Sequence, residues 1–194
     1  MGTVVLAMSM SLDGCIAGPN VGGEQPMGEG GELLHDWMFV GKTEREAAVF
    51  EEELFKTTGT IIMGRRTFDV GVELWGDNPT FHAPCFVLSA AAQEKIVKEG
   101  GTTYTFVTDG IESALARARA AAGGKNVQVL GGANAAQQYI KAGLLDEIQI
   151  HLVPVLLGDG IRLFDHLGTK HIVLEQMSVI ESPGVTHLTF RVVK

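Results

Sequence analysis

The segment Ile61-Ile-Met-Gly-Arg-Arg-Thr-Phe68 decides the fold of this chain. Residues 60–63 form a short, mostly apolar run, which is typical of a strand buried on both faces. Gly64 ends that run, and residues 66–70 are predicted to form a single helical turn. A buried strand that passes through glycine into a helix is the repeating unit of a parallel α/β sheet.

The same alternation of strand and helix extends from this segment towards both ends of the chain. Apolar spacing predicts helices at 43–56, 111–122 and 133–142, the second with Asp109 and Glu112 at capping spacing. Strands are predicted at 3–8, 60–63, 85–88, 104–107, 127–130, 147–155, 171–180 and 185–193. In the strand 147–155, Ile150 is expected to face one way and His151 the other, towards solvent or a subunit partner.

These elements predict an α/β fold with a mostly parallel, twisted central sheet, helices on both faces and an antiparallel C-terminal hairpin closed at 181–184. Because no repeat, low-complexity stretch or linker divides the chain, residues 1–194 are expected to form one domain. Ligands of such sheets bind beyond the carboxyl ends of the strands. A glycine loop, residues 18–31, follows the first strand, and a loop of this length is usually functional or mobile.

The composition excludes several classes of protein. The 194 residues carry a formal net charge of −8, which argues against nucleic-acid binding. The sequence has no apolar run near the roughly 20 residues that cross a bilayer and no basic region typical of a signal peptide. Cys15 and Cys85 lack the spacing of metal ligands, so two free thiols, no metal and a cytoplasmic location are expected.

Two strand ends carry glycine next to groups that could bind phosphate. After Gly64, the pair Arg65-Arg66 supplies charge and Thr67 a hydroxyl, although two solvated arginines beyond an ordinary turn would explain them equally well. Gly131-Gly132 precedes a predicted helix and could lie against a pyrophosphate, or form a plain tight turn.

Two more strand ends carry small polar residues. Ser89 could cap the next segment or donate to a cofactor 2′-phosphate, and Asp13-Gly14 is ordinary turn chemistry. Because the carboxyl ends of parallel strands meet at one edge of a sheet, all four segments are expected to converge. That arrangement favours an extended anionic cofactor over four unrelated turns.

With these motifs, the chain resembles the dihydrofolate reductase-like family. Within it, the chain is most similar to stand-alone proteins that resemble the C-terminal reductase domain of the bifunctional riboflavin-biosynthesis deaminase-reductase. The similarity covers essentially the whole chain. It rests on four motifs in the same order: Ser11-Leu-Asp-Gly-Cys-Ile-Ala17, Ile62-Met-Gly-Arg-Arg-Thr-Phe68, Val129-Leu-Gly-Gly-Ala133, and Val153-Pro-Val-Leu-Leu-Gly-Asp-Gly160 followed by Leu163-Phe164.

The resemblance implies a dihydrofolate reductase-like three-layer sandwich and hydride transfer from NADPH, rather than NADH, to a small heterocyclic substrate. It implies a homodimer and a lid formed by the glycine loop. It also assigns the nicotinamide to Ile16 and Ala17, the adenosine-side phosphates to 64–67, the 2′-phosphate to Ser89 and the pyrophosphate to 131–133. The implied cofactor-binding residues are Ile16, Ala17, Gly64, Arg65, Arg66, Thr67, Ser89, Gly131, Gly132 and Ala133.

The chain also departs from its relatives. Dihydrofolate reductases bind the pteridine with an acidic residue on the first helix, and counting back from Gly64 puts that position near Ala48. Glu46 and Glu51 are expected to point to other faces of the helix. Riboflavin reductases usually carry a glutamate where this chain has Leu130, and Gly-x-Gly-Thr in place of Gly-Arg-Arg-Thr. Folate and the phosphoribosylamino-uracil intermediate both remain open as substrates.

Three residues are candidates for catalysis or substrate binding. Asp13 is the candidate catalytic residue, to orient substrate or relay a proton, because it lies where the first strand meets the glycine loop. Asp36 and Trp37 are a candidate polar and stacking pair, although packing alone would explain Trp37. A non-catalytic NADP-binding or sensor domain is the alternative function. A purely structural dimerisation domain would leave Arg65-Arg66 beside glycine unexplained.

Overall fold

A computed structural model describes residues 2–39 and 43–194, with the side chains of Arg45, Phe50, Glu53, Leu54 and Phe55 outside that description. The strands are β1 Val4–Ser11, β2 Cys15–Ala17, β3 Thr58–Gly64, β4 Pro84–Leu88, β5 Ile96–Val97, β6 Thr103–Val107, β7 Asn126–Gly131, β8 Glu147–Val153, β9 Ile161–Arg162, β10 Leu174–Ser182 and β11 Val185–Val192. The α-helices are α1 Asp36–Phe39, α2 Glu44–Glu51, α3 Arg65–Gly71, α4 Ile111–Ala121 and α5 Ala133–Lys141. Short 3₁₀ turns lie at Gly31–His35 and Glu99–Gly101, and a π-helical segment, Glu52–Thr57, follows α2.

One nine-stranded sheet organises the chain in the order β10-β11-β8-β1-β7-β3-β4-β6-β5. The six central strands, from β8 to β6, are parallel, while β11 and β10 form an antiparallel hairpin at one edge. The carboxyl ends of the parallel strands therefore meet at a single edge of the sheet. The predicted fold class, a mostly parallel sheet with a C-terminal antiparallel hairpin, is confirmed.

Apolar residues on both faces of the sheet bury its centre. In β3, Ile62 packs into the cluster under α4 and α5, whereas Ile61 and Met63 pack with Phe68 of α3. Neighbouring residues of a strand point to opposite faces, so α4 and α5 cover one face and α3 covers the other. Helices on both faces were predicted and are confirmed.

The prediction that His151 faces solvent or a subunit partner is wrong. His151 of β8 is only 5% exposed, and the ring of Trp37 lies 4.8 Å from it between centroids. Ile150 packs on the opposite face, under α4 and α5. Both faces of β8 are therefore buried, because α1 covers a face that the alternating pattern assigned to the outside.

The predicted side-chain cap of α4 is also wrong. Gly110 occupies the cap position with φ 98° and makes no side-chain capping bond. The Asp109 carboxylate instead accepts from the Ser113 hydroxyl at 2.8 Å and from Arg117 at 2.9 Å. Glycine adopts this φ without the steric cost that a side chain would bring, so the backbone enters the helix from a direction that takes Asp109 off the cap.

Several short elements were not predicted. β2 and β9 form a separate two-stranded antiparallel sheet beside the carboxyl end of β1, and they pair Cys15 with Arg162. The predicted helix 43–56 is α2 followed by the π-helical segment. No helix in the part of the chain that the structure describes is long and apolar enough to cross a membrane.

Candidate functional site

The turns that follow β3 and β7 lie side by side. The two strands are parallel neighbours, and Met63 pairs with Gly131 in their register. A methyl group placed on Gly64 would lie 3.5 Å from the backbone nitrogen of Gly132. One placed on Gly132 would lie 3.2 Å from Oγ1 of Thr67. The structure therefore brings together the two glycine turns that the sequence singled out, with bare backbone where they meet.

The end of β4 and the start of α5 lie beside these two turns and form one row of turns with them. Leu88 of β4 pairs with Gly64, so Ser89 comes one residue beyond it. The Ser89 hydroxyl donates to the Ala91 carbonyl at 2.8 Å and accepts from the Ala91 N–H at 3.2 Å, the local role that was the alternative for this residue. On the other side, Ala133 begins α5 behind a glycine without a side-chain cap. The first N–H groups of such a helix are free to bind an anion.

Arg65 and Arg66 were both predicted to bind cofactor phosphates, but they have different surroundings. Arg65 donates from Nε to Asp69 at 2.7 Å within its own helix, and its guanidinium lies 5.7 Å from the centroid of the Phe106 ring. When the Gln93 side-chain amide is oriented with its oxygen towards Arg65, this oxygen lies 3.2 Å from Nη1 and 3.3 Å from Nη2 of the guanidinium. Arg66 instead donates from Nη2 to the carbonyl of Val21 in the glycine loop, at 2.8 Å.

Ile16 and Ala17 lie in β2, beneath the segment that follows β8. Ile16 belongs to the core cluster under α4 and α5. A methyl group on Gly160 would come within 2.2 Å of the Ala17 carbonyl, so the backbone of that segment packs directly on β2. Both residues are buried, and their contact with a nicotinamide stays a prediction.

The Asp13 carboxylate is engaged in a loop-closing network. It accepts from the Ser11 hydroxyl at 2.5 Å, from the Gly158 N–H at 2.8 Å and from the Leu157 N–H at 3.2 Å. The bonds from Ser11 and Gly158 to the charged form lower the pKa of Asp13 to about 2. A carboxylate that stays ionised near neutral pH is a poor proton relay, and its role in orienting a substrate stays a prediction.

A pocket of about 450 Å³ opens beside α1. Both candidate substrate residues, Asp36 and Trp37, line it, together with Glu46 of α2. The remaining walls come from the residues before α1 and α2, from the end of β8 and the segment after it, and from the turn of the C-terminal hairpin: Leu33, Thr43, Val153, Pro154, Val155, Pro183 and Gly184. The structure thus brings the predicted pair to a cavity of a size typical of small-molecule sites.

Trp37 is held in this wall from several sides. Its indole N–H donates to the Ser9 hydroxyl at 3.0 Å, and its ring lies 4.8 Å from that of His151 and 5.0 Å from that of His187. The two imidazoles meet through their Nδ1 atoms at 2.8 Å, across the directly paired strands β8 and β11. Trp37 is therefore packed, as the alternative interpretation held, and it lines the pocket as well.

Ser9 lies near the carboxyl end of β1. The described pairing of β1 with its parallel neighbour β7 ends at Leu6 opposite Val129, and Ser9 follows three residues further along β1. The indole that bonds to Ser9 and the turns after β3 and β7 therefore all lie towards the carboxyl edge of the sheet.

The expectation that Glu46 points away from this region is wrong. Glu46 is only 3% exposed and lines the pocket, while Ala48 is exposed. A π-helical segment lies between α2 and β3, so a count backwards from Gly64 with ordinary helical spacing does not identify the residue that faces the pocket. The pattern Thr43-x-x-Glu46 was the available signal. Both bonds of this capping box form, the Thr43 N–H to Glu46 Oε2 at 2.6 Å and the Glu46 N–H to Thr43 Oγ1 at 3.2 Å.

No group of three or more His, Cys, Asp or Glu side chains in residues 2–39 and 43–194 is placed to hold a metal ion. Cys15 and Cys85 are both free and buried. Burial raises the pKa of the Cys85 thiol to about 12. The polar groups described around this region are backbone amides, two arginines, hydroxyls and the carboxylates of the pocket.

The sheet order, the glycine turns and the pocket beside α1 together define a protein of the dihydrofolate reductase-like class, with a reductase-type fold. The structure of a putative riboflavin biosynthesis protein from Shewanella sp. PV-4 matches it with a TM-score of 0.75 at 23% identity, over 99% of both chains. Dihydrofolate reductase from Enterococcus faecalis, complexed with NADP(H) and RAB-propyl, matches with a TM-score of 0.62 at 16% identity, over 100% of this chain and 98% of that one.

The chain belongs to the RibD C-terminal domain family, whose model matches residues 2–188. The uncharacterized protein YwjB of Bacillus subtilis (strain 168) is 30% identical over 163 residues, which are 84% of this chain and 83% of that protein. The resemblance drawn from the four sequence motifs is confirmed.

Proposed function

We propose that this chain is an NADPH-dependent reductase that transfers a hydride to a small heterocyclic substrate. The observation that carries the proposal is the contact between the turns after β3 and β7, where Gly64 and Gly132 leave bare backbone beside Arg65, Thr67 and the start of α5. A Cβ on Gly132 would fill the space in front of the Thr67 hydroxyl. A phosphorylated dinucleotide fits these donors, and when bound it supplies the hydride.

The two ends of the cofactor are assigned from the surroundings of each residue. Arg65 would bind the 2′-phosphate, because it lies with Phe106 and Gln93 at the β4–β6 end of the row of turns. Thr67 and the amides of Gly132 and Ala133 would bind the pyrophosphate. The remaining proposed contacts are Gly64, Arg66, Ser89 and Gly131 to the phosphates, and Ile16 and Ala17 to the nicotinamide.

The proposed substrate occupies the pocket of about 450 Å³ beside α1. Trp37 offers an aromatic wall for stacking, and Glu46 and Asp36 offer carboxylates that accept hydrogen bonds from ring N–H and amino groups. These groups favour a flat heterocycle rich in donors, a class that includes pteridines and aminouracils. Asp13, with its lowered pKa, is proposed to orient the end of β1 and the segment after β8, not to relay a proton.

Three coarser features complete the proposal. Residues 1–194 would form one domain, as the sheet that runs from β1 to β11 suggests. The two free, buried cysteines are consistent with a cytoplasmic protein. A homodimer is proposed because β10 is an edge strand with exposed apolar side chains, Leu174, Met177 and Val179. Sedimentation equilibrium would test it, and a monomeric mass at all concentrations would reject it.

The test of the main proposal is binding and oxidation of NADPH. Binding is measured by calorimetry with NADPH and NADH, and turnover by loss of absorbance at about 340 nm with pteridines, aminouracils and small carbonyl compounds. Arg65→Ala is expected to lower the affinity for NADPH roughly tenfold or more, because one or two charge-assisted hydrogen bonds are lost. The affinity for NADH should change little. Arg191→Ala, whose side chain pairs with Glu175 on the distant hairpin, is the matched control.

Each outcome decides between functions. Tight NADPH binding with turnover of a heterocycle supports the reductase. Binding without turnover on any of these compounds favours an NADP-binding sensor. No binding of either nucleotide overturns both functions, and equal weakening of NADPH and NADH by Arg65→Ala removes the 2′-phosphate role.

A further inference from the structure

The glycine loop, residues 18–31, is folded upon itself. Its two sides are joined by backbone bonds from Gly18 N to Met27 O at 2.8 Å and from Glu29 N to Pro19 O at 2.9 Å. Gly22 and Gln25 close the tip with reciprocal bonds of 2.9 and 3.1 Å. A loop with this many internal bonds moves as a unit, so one contact at its tip can set its position.

Arg66 makes that contact from the second residue of α3. Its Nη2 donates to the carbonyl of Val21, next to the tip, at 2.8 Å. Within residues 2–39 and 43–194 this is the hydrogen bond that the Arg66 side chain makes, and a guanidinium has five N–H donors. The remaining donors stay available on the same side chain, one residue from Thr67 and two from Gly64.

Arg65 provides the contrast. Its Nε bonds to Asp69 within the same helix, and its guanidinium lies over Phe106 of β6. It makes no described contact with the glycine loop. Two adjacent arginines of the same charge therefore serve different parts of the molecule.

We infer that Arg66 is a positioning residue that holds the glycine loop against the turn after β3, so that closure of the loop and binding of an anionic cofactor reinforce each other. The coupling to cofactor rests on the function proposed above, whereas the contact with Val21 does not. A guanidinium fixed by a phosphate on one side presents its other N–H groups to the loop without further loss of side-chain freedom. By linkage, a loop held in place raises the affinity for that phosphate by the same factor.

The experiment measures cleavage of the loop by a glutamyl endopeptidase. Glu24 at the tip is exposed, and mass spectrometry identifies the cut between Glu24 and Gln25. When opening is fast relative to cleavage, the rate follows the population of the open loop. Wild type, Arg66→Ala, Arg66→Lys and the matched neighbour Arg65→Ala are compared with and without saturating NADPH, whose binding is measured separately by calorimetry.

Without cofactor, Arg66→Ala is expected to accelerate the cut at Glu24 roughly threefold to tenfold, which corresponds to the net stabilisation by one typical hydrogen bond. Arg66→Lys should recover part of the protection, and Arg65→Ala should cleave like wild type. Saturating NADPH should protect the loop in wild type and in Arg65→Ala, but much less in Arg66→Ala. This dependence on the cofactor would not follow from a purely structural arginine.

The two proposals fail in different ways. Equal cleavage of wild type and Arg66→Ala without cofactor overturns the role of Arg66 even if NADPH binds tightly. Failure of wild type to bind NADPH overturns the reductase, and faster cleavage of Arg66→Ala would then still support the contact with Val21. Equal protection of wild type and Arg66→Ala by NADPH overturns the coupling alone.

Discussion

Trp37 donates its indole N–H to the hydroxyl of Ser9 across 3.0 Å, which ties α1 to the carboxyl end of β1. Ser9→Ala would leave this N–H buried without its acceptor, so we expect the free energy of unfolding to fall by about 1–3 kcal/mol. Urea denaturation measures the loss. Ser178→Ala on the edge strand β10 is the control and should change stability by less than about 0.5 kcal/mol. Equal stability of the two variants would contradict this role of the bond.

Gly132 lies where the two glycine turns meet, and a Cβ there would be 3.2 Å from Thr67 Oγ1. Gly132→Ala is expected to weaken NADPH binding roughly tenfold or more. Its φ of −80° suits alanine, but the added Cβ crowds Thr67, so it should cost about 1–3 kcal/mol of stability. Gly184→Ala adds a Cβ with nothing within 4 Å and is the control for cofactor binding. Unchanged affinity in Gly132→Ala would place the cofactor elsewhere.

Glu46 combines a cap and a pocket wall, and two variants separate these roles. Glu46→Gln keeps an oxygen that can accept from the Thr43 N–H, so the melting temperature should change little while KM for a donor-rich heterocycle rises. Glu46→Ala also loses the acceptor of the Thr43 N–H, while the Thr43 hydroxyl can still cap the helix, which should cost about 0.5–1.5 kcal/mol. Thermal melts and steady-state kinetics are the measurements. A KM in Glu46→Gln equal to that of wild type would remove the carboxylate from substrate binding.

Asp13 should make stability depend on acid pH. Its pKa is lowered from 3.8 to about 2 by the Ser11 hydroxyl and the Gly158 N–H, so the folded state favours the ionised carboxylate. The stabilisation is therefore complete above pH 3.8 and is lost as the pH falls through about 2. Melting temperatures of wild type and Asp13→Asn should differ at neutral pH and converge in acid.

Asp165→Asn, on an exposed turn, is the control for this series. A difference between wild type and Asp13→Asn that persists unchanged to about pH 2 would show that the charge of Asp13 is not what stabilises the loop.

Local patterns predicted the elements that build the sheet. The strand at 60–63, the helices at 111–122 and 133–142, and the turn before β11 depend on interactions between residues close in sequence, and all lie close to where they were expected. Positions that depend on packing between distant segments were predicted poorly. His151 is buried because α1 lies over β8, and no spacing within β8 indicates a cover from residues 36–39.

In the candidate site, too, features set by local sequence were predicted and features set by tertiary packing were not. The glycine turns could be found from sequence, because a glycine at a strand end has a local conformational meaning and parallel strands share one edge. Glu46 could not, since a π-helical segment shifts the residue that faces the pocket. Nor could the different partners of Arg65 and Arg66, which lie on β6 and in the glycine loop.

The sequence by itself determined the class of fold, the order of the long strands and helices, and which strand ends carry groups suited to phosphate. The tertiary structure alone decided that Trp37, Ser9 and His151 share one buried contact and that the Asp13 carboxylate is engaged by backbone donors of the segment after β8. The reason is physical. Secondary structure and turns follow from interactions between near neighbours, whereas burial, hydrogen-bond partners and pKa depend on segments that meet only when the chain is folded.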